Sequence, residues 1–125
     1  MRKAVQDLPR KVLNLHRKYR LARKQDFQHV FAKSDKLAHK HVLGLYRPNA
    51  FLHPRLGIIV SKHQAKRAVD RNRVKRLVRE SFRHHKQALN GLDIIVMLRS
   101  GWTTLDNAAL RDEMDHLWLA LAQTK

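Results

Sequence analysis

Two short apolar runs constrain this chain more than anything else in it. RLGIIVSK (55–62) holds the β-branched run Ile58-Ile59-Val60 between Gly57 and Ser61, the composition of a strand. LDIIVMLR (92–99) is almost continuously apolar, which predicts a strand buried on both faces or nearly so. The segment between them has the length and periodicity of a helix. If the two strands are neighbours, a helical crossover makes them parallel. A small sheet with helices layered on it follows, an α+β or α/β sandwich.

The crossover contains AVDRNRVKRLVRESFR (68–83). The helix is expected from about Val69 or Asp70 to Ala88. Asp70 serves as its N-cap or first-turn acid, and Asn90-Gly91 as its stop. Advancing about 100° per residue from Val74 gathers Leu77, Val78, Ser81 and Phe82 into one arc. Asn72, Arg76, Arg79 and Arg83 fall on the opposite arc. Arg71 and Lys75 flank it on one side, Arg73 and Glu80 on the other. Side chains one turn apart lie roughly 5–6 Å from each other and repel when like-charged. A solvated face usually interleaves Glu with Lys; this one is mostly Arg, which suits bidentate phosphate recognition. Asn72 has two readings here, a capping residue or an amide that bonds a phosphate, a base edge or a metal-bound water.

The charge of the whole chain says the same. Across 125 residues the formal net charge is +17, far beyond what solubility requires. Residues 1–33 and residues 61–86 each hold ten Lys or Arg against two acids, whereas residues 87–125 hold three against five. A nucleic acid is the first candidate partner, since bound Lys and Arg release counterions from its phosphates. An anionic membrane or an acidic protein are the alternatives. Lys62, Lys66 and Arg67 extend the positive surface at the carboxyl end of the first strand, a common binding edge in such sheets. Cysteine is absent, which excludes disulfides and Cys-based metal or redox sites and suits a reducing cytosol. No apolar run approaches the roughly 18 residues of a membrane span, and the basic N-terminus has no signal-like apolar core. Residues 1–18 read as a basic arm, either a disordered tail or an RNA contact. Residues 19–125 read as a single RNA-binding domain.

The remaining elements are shorter. KQDFQHVFAK (24–33) sets Phe27, Val30 and Phe31 on one helical stripe, with Asp26 near its start. KLAHK (36–40) and HVLGLYRP (41–48) read as strands, and PNAFLHP (48–54) as a connection. A last helix spans about Asn107 to Ala122, with Leu110, Met114, Leu117, Trp118 and Leu121 as core. The order is α-β-β-β-α-β-α, a two-layer sandwich with one small mixed sheet.

Phe27 and Phe31 have two readings, core packing or rings that stack unpaired bases along a groove. Tyr46 has the same pair of readings. The nine histidines raise the question of catalysis. His84 and His85 are adjacent on a helix and so point apart, and Asp70 and Glu80 do not form a two-metal carboxylate cluster. No Gly-rich P-loop is present. No catalytic residue and no metal ligand is therefore assigned to the protein, and the histidines are read as polar surface and additional RNA contacts. On these residues alone two functional classes remain: a general RNA-binding or ribosomal-type protein without a processing role, and a self-contained His-dependent ribonuclease.

RLGIIVSKHQAKRAVDRNRVKRLVRESFR closely resembles the signature region of the protein subunit of bacterial ribonuclease P. Arg71-Asn72-Arg73 with Lys75, Arg76 and Arg79 resembles that family's RNR motif, DFQHVF its first helix and GLDIIVMLR its last strand. The resemblance covers roughly residues 20–120. It implies a ribosomal-protein-like fold with a left-handed crossover around the basic helix. General rules predict a right-handed crossing in about 98% of cases, so this handedness rests on the resemblance alone.

The resemblance also implies a function. The chain would assist a catalytic RNA in removing the 5′ leader from precursor tRNA, as the protein subunit of an endoribonuclease whose catalytic centre and Mg²⁺ belong mainly to the RNA. It would be cytoplasmic, with no membrane partner, a protein monomer in a 1:1 complex with the RNA. Lys62, Lys66, Arg67, Arg71, Asn72, Arg73, Lys75, Arg76, Arg79 and Arg83 would face RNA. Phe27 and Phe31 would line a leader cleft between the first helix and the sheet. Tyr46 would join them only in one register: Leu45 precedes it, and a one-residue slip turns a side chain to the other face of the sheet. His63 stands where family members often carry Lys.

Overall fold

Strand β4 (Leu92–Leu98) is flanked on both sides, by β2 (Val42–Pro48) antiparallel and by β3 (Arg55–Ile59) parallel. β1 (Asp35–Ala38) pairs antiparallel with β2, so the order across the mixed sheet is β1-β2-β4-β3. This is a computed structural model, and it describes residues 17–125. The basic arm expected at 1–18 lies outside the described residues up to position 16; Arg17 and Lys18 open a 3-10 turn, Arg17–Tyr19.

Three helices complete the fold: α1 (Lys24–Ala32), α2 (Ala68–Arg83) and α3 (Asn107–Ala122). The buried residues of α2 are Val74, Leu77, Val78, Ser81 and Phe82, the arc that a period of 3.6 selects. They meet Leu110, Met114, Leu117, Trp118 and Leu121 of α3 above one face of the sheet, where Leu92, Ile94, Val96 and Leu98 point. Ser81 is polar yet belongs in this stripe. Its hydroxyl donates to Asp115 Oδ1 at 2.7 Å and accepts from Trp118 Nε1 at 2.8 Å, so no buried polar atom of the trio is left unpaired. At the start of α3, Asp106 Oδ1 accepts from the Ala109 N–H at 2.8 Å and caps the helix.

The opposite face carries a smaller cluster. Val30 of α1 packs with Leu21, Leu45 and Ile95, and Phe27, Leu43, Ile59 and Met97 border them half-buried. The alternation along β4 therefore serves two cores, which is why the run reads as almost continuously apolar. Asp93 is the exception within it, 1% exposed. Arg55, its register neighbour on β3, grips it through two N–H bonds of 2.9 and 2.7 Å, and Asn49 Nδ2 donates a third of 2.8 Å. The same guanidinium reaches Asp26 of α1 at 3.5 Å. A buried carboxylate is thereby paired, and α1 is tied to the sheet at its N-terminal end.

Three boundaries depart from the sequence expectation. β3 stops at Ile59 rather than Lys62, because the Ser61 carbonyl turns back to accept from the N–H groups of Gln64 and Ala65. α2 ends at Arg83, not Ala88: the N–H groups of His84 and His85 bond three residues back, to Ser81 and Phe82. A separate 3-10 turn, Gln87–Leu89, then buries Leu89, and Gly91 at φ 84° turns the chain into β4. The third concerns the start of α2. Its N-cap position is Arg67, so Asp70 is a first-turn acid, ion-paired with Arg67 at 3.1 Å, and neither Asp70 nor Asn72 is the cap.

Candidate RNA interface

The outward side of α2 is built by the same periodicity that buries its inner stripe. Asn72 and Arg76 are exposed and line a groove of about 410 Å³ between α2 and the start of α3, together with Arg73, Glu80 and Arg111. Arg73 donates to the side-chain oxygen of Asn107, which fixes its guanidinium at the groove's edge. Lys62, Lys66 and Arg67 are exposed in the loop leading into α2. Lys75, Arg79 and Arg83 are half-buried.

Arg71 behaves differently from its neighbours. Its guanidinium donates to the carbonyls of Ala65 at 2.8 Å and Lys66 at 2.9 Å. It therefore holds the loop that carries Lys62 and Lys66 against the helix, and two of its five donors are committed before any ligand arrives. Its position flanking the outward arc foreshadows this, because it lies close enough to the buried side to reach back.

The second region is the face of the sheet under α1. This nine-residue helix covers the face only in part. Leu43, Ile59 and Met97 are left half-buried, and Phe31 of the same helix is 49% exposed. Phe27 is set deeper. A Cβ at Gly57 would come within 2.6 Å of its ring, so the glycine makes room for Phe27 against β3. The two rings thus differ in burial: Phe27 is packed against the small core, and Phe31 is open to solvent.

Tyr46 does not join them. Period-2 alternation on β2 puts Leu43, Leu45 and Arg47 toward α1, whereas Val42 and Tyr46 face α2 and α3. Tyr46 packs against the larger core, and its assignment to the groove is corrected by this register. Arg47, which sequence reasoning passed over, lies on the groove side, where its Nη1 donates to the His29 carbonyl of α1 at 3.1 Å. The alternation itself was the signal that could have found it.

A second omission is Arg20. It bridges to Leu56 on the outer edge of β3. There Arg17, Arg20 and Arg23 share a cavity of about 1000 Å³ with Arg79 of α2. Burial first, and then the positive charge of Arg20, pull the Arg79 guanidinium below its ordinary value. The two basic segments of the sequence therefore meet at this edge.

The histidines do not converge on a catalytic arrangement among the described residues. His41 is bonded to Glu113 through its ring Nδ1 and through its backbone N–H at 2.9 Å. His39 and His116 stack at 5.8 Å. His85 bonds the Ser81 carbonyl, and the adjacent His84 is exposed. No group of three or more His, Cys, Asp or Glu that could hold a metal is found among the described residues, and no helix there is long and apolar enough to cross a membrane.

The chain matches the family model described as Ribonuclease P over residues 15–122. It is 49% identical over 106 residues to the ribonuclease P protein component of Chromohalobacter salexigens, covering 84% of this chain and 83% of that one. It is 44% identical over 114 residues to the component from Idiomarina loihiensis, covering 90% and 91%. Among solved structures it resembles a Staphylococcus aureus RNase P protein, a mutant with defective mRNA degradation activity. The TM-score is 0.77 at 31% identity, and 98% of each chain is covered.

Proposed function

Because the chain belongs to the ribonuclease P protein family, whose members are components of a tRNA-processing ribonucleoprotein, we propose that it binds two RNAs in that role. The outward face of α2 holds the catalytic RNA subunit through Asn72, Arg76, Arg79 and their basic neighbours. The groove between α1 and the sheet holds the 5′ leader of precursor tRNA, with Phe31 against an unpaired base. The RNA carries the catalytic centre and the Mg²⁺ that supports phosphodiester hydrolysis. The chain's residues bind and orient. The assembly is one protein with one RNA, in the cytoplasm.

The observation that carries this reading is the pairing of an arginine face on α2 with a half-covered apolar face of the sheet. The first supplies phosphate contacts and the second a surface for bases, and single-stranded recognition uses both.

Reconstitution with the cognate RNA subunit tests it. Precursor tRNA should be cleaved at its 5′ end in the presence of Mg²⁺ and the RNA, with little or no cleavage by the protein alone at physiological salt. Trimming the leader should weaken substrate binding by the holoenzyme. Binding indifferent to leader length would favour a general RNA-binding protein, and robust cleavage without RNA would place the chemistry in the chain. Arg76→Ala should lower the salt slope of RNA binding by roughly one unit for the lost phosphate contact.

A further inference from the structure

The outer edge of β3 carries an aromatic ring, Phe51, that the proposed α2 and α1 contacts do not use. The loop between β2 and β3 sets Phe51 at the mouth of the cavity shared by Arg17, Arg20, Arg23 and Arg79. The ring is 47% exposed. It is held in place rather than left loose. Asn49 Oδ1 accepts from the Phe51 N–H at 2.9 Å, and the same side chain is anchored through Nδ2 on buried Asp93. Arg55, locked on Asp93, lays its guanidinium 4.7 Å from the ring centroid.

The cations around this ring are of two kinds. Arg55 is neutralised by Asp93 and Asp26. Among the described residues, no carboxylate ion-pairs with Arg17, Arg20, Arg23 or Arg79. These four guanidiniums share the cavity with one carboxylate, Asp26, which bonds Arg55 and the Arg23 N–H, so the lining keeps a net positive charge that a polyanion would offset. A planar group stacked on the ring would place its flanking anions among them. A ribonucleotide has this combination of a π-face and phosphates on either side.

We propose that the β3 edge is a further single-stranded RNA site. Phe51 stacks on one unpaired base, and Arg17, Arg20, Arg23 and Arg79 hold the phosphates around it. The proposal rests on the chain being the RNA-binding subunit described above. It adds a subsite that connects the α2 face to the α1 end of the sheet. The unpaired nucleotide can belong to the leader or to the RNA subunit, and the two sources are separable by experiment.

The test compares full-length wild type with Phe51→Ala, Phe51→Trp and Arg20→Gln, each checked for an unchanged melting temperature. Binding is measured to a short labelled single-stranded oligoribonucleotide, to the RNA subunit, and, as holoenzyme, to precursor tRNA with long and trimmed leaders. Phe51→Ala should weaken oligonucleotide binding roughly 5- to 100-fold without altering its salt slope, the signature of lost stacking. Phe51→Trp should retain binding. Arg20→Gln should lower the oligonucleotide salt slope by about 0.7. A parallel loss on the RNA subunit assigns the base to that RNA, and a loss only with the long leader assigns it to the substrate. If Phe51→Ala and Arg20→Gln leave every measurement unchanged while Arg76→Ala still weakens RNA-subunit binding, the edge site is refuted and the general reading stands. If Arg76→Ala and leader trimming are also silent, both fail.

Discussion

The two faces of the sheet differ in how completely helices cover them. On one, α2 and α3 each contribute sixteen residues, and Phe82 and Trp118 meet edge to face at 5.5 Å with no exposure. On the other, α1 has only nine residues, Leu43, Ile59 and Met97 remain half-buried, and Phe31 of α1 is exposed. Both faces come from the same strand alternation. What separates a closed core from a half-open apolar face is the length of helix laid over it, so an apolar stripe in the sequence does not say which it will become.

The largest break in that contrast should come from the covered face. Phe82→Ala removes a fully buried ring between α2 and α3 and should cost roughly 3–5 kcal/mol, read from denaturant unfolding. Its effect on RNA binding should follow only from the loss of folded protein. Next is the closed end of the partly covered face. Arg55→Ala leaves Asp93 buried without its cation and should cost about 3 kcal/mol. It should also loosen the start of α1, measurable as faster amide exchange there.

The open end should respond in the opposite manner. Phe31→Ala should change stability by less than about 1 kcal/mol, since half the ring is already in water, yet weaken leader binding at least about fivefold. A stability loss on the order of 3 kcal/mol would instead make Phe31 part of the core and erase the distinction between the faces.

The smallest effect is in pH. Burial raises the Glu113 carboxyl, but hydrogen bonds from His41 and its charge outweigh burial, and the net direction is below the ordinary value. A carboxylate depressed on folding adds stability that is present above its unfolded pKa and is lost as pH falls through the folded one. Acid unfolding should therefore include a Glu113-dependent part below the usual glutamate range, and Glu113→Gln should remove that part. Because the pair joins α3 to the turn before β2, the basic face of α2 should be unaffected near neutral pH.

Much of this was legible from spacing alone. The buried stripe of α2, the limits of α3 and the two-sided burial of β4 depend on contacts that repeat every 3.6 or two residues, and local chemistry is enough to set them. The basic outward face followed, because a helix that buries Val74, Leu77, Val78 and Phe82 has to turn Asn72 and Arg76 away. Tertiary structure decided the rest. Whether Tyr46 or Arg47 faces α1 depends on the register of β2. Arg71 is diverted to the carbonyls of Ala65 and Lys66, and Arg20 is brought to Arg79 across almost sixty residues of chain. A side chain's hydrogen bonds and charges act over a few ångströms of space whatever the separation along the chain. Which arginine is tied into the fold and which is left without an intramolecular partner was therefore decided only when the sheet brought distant residues together.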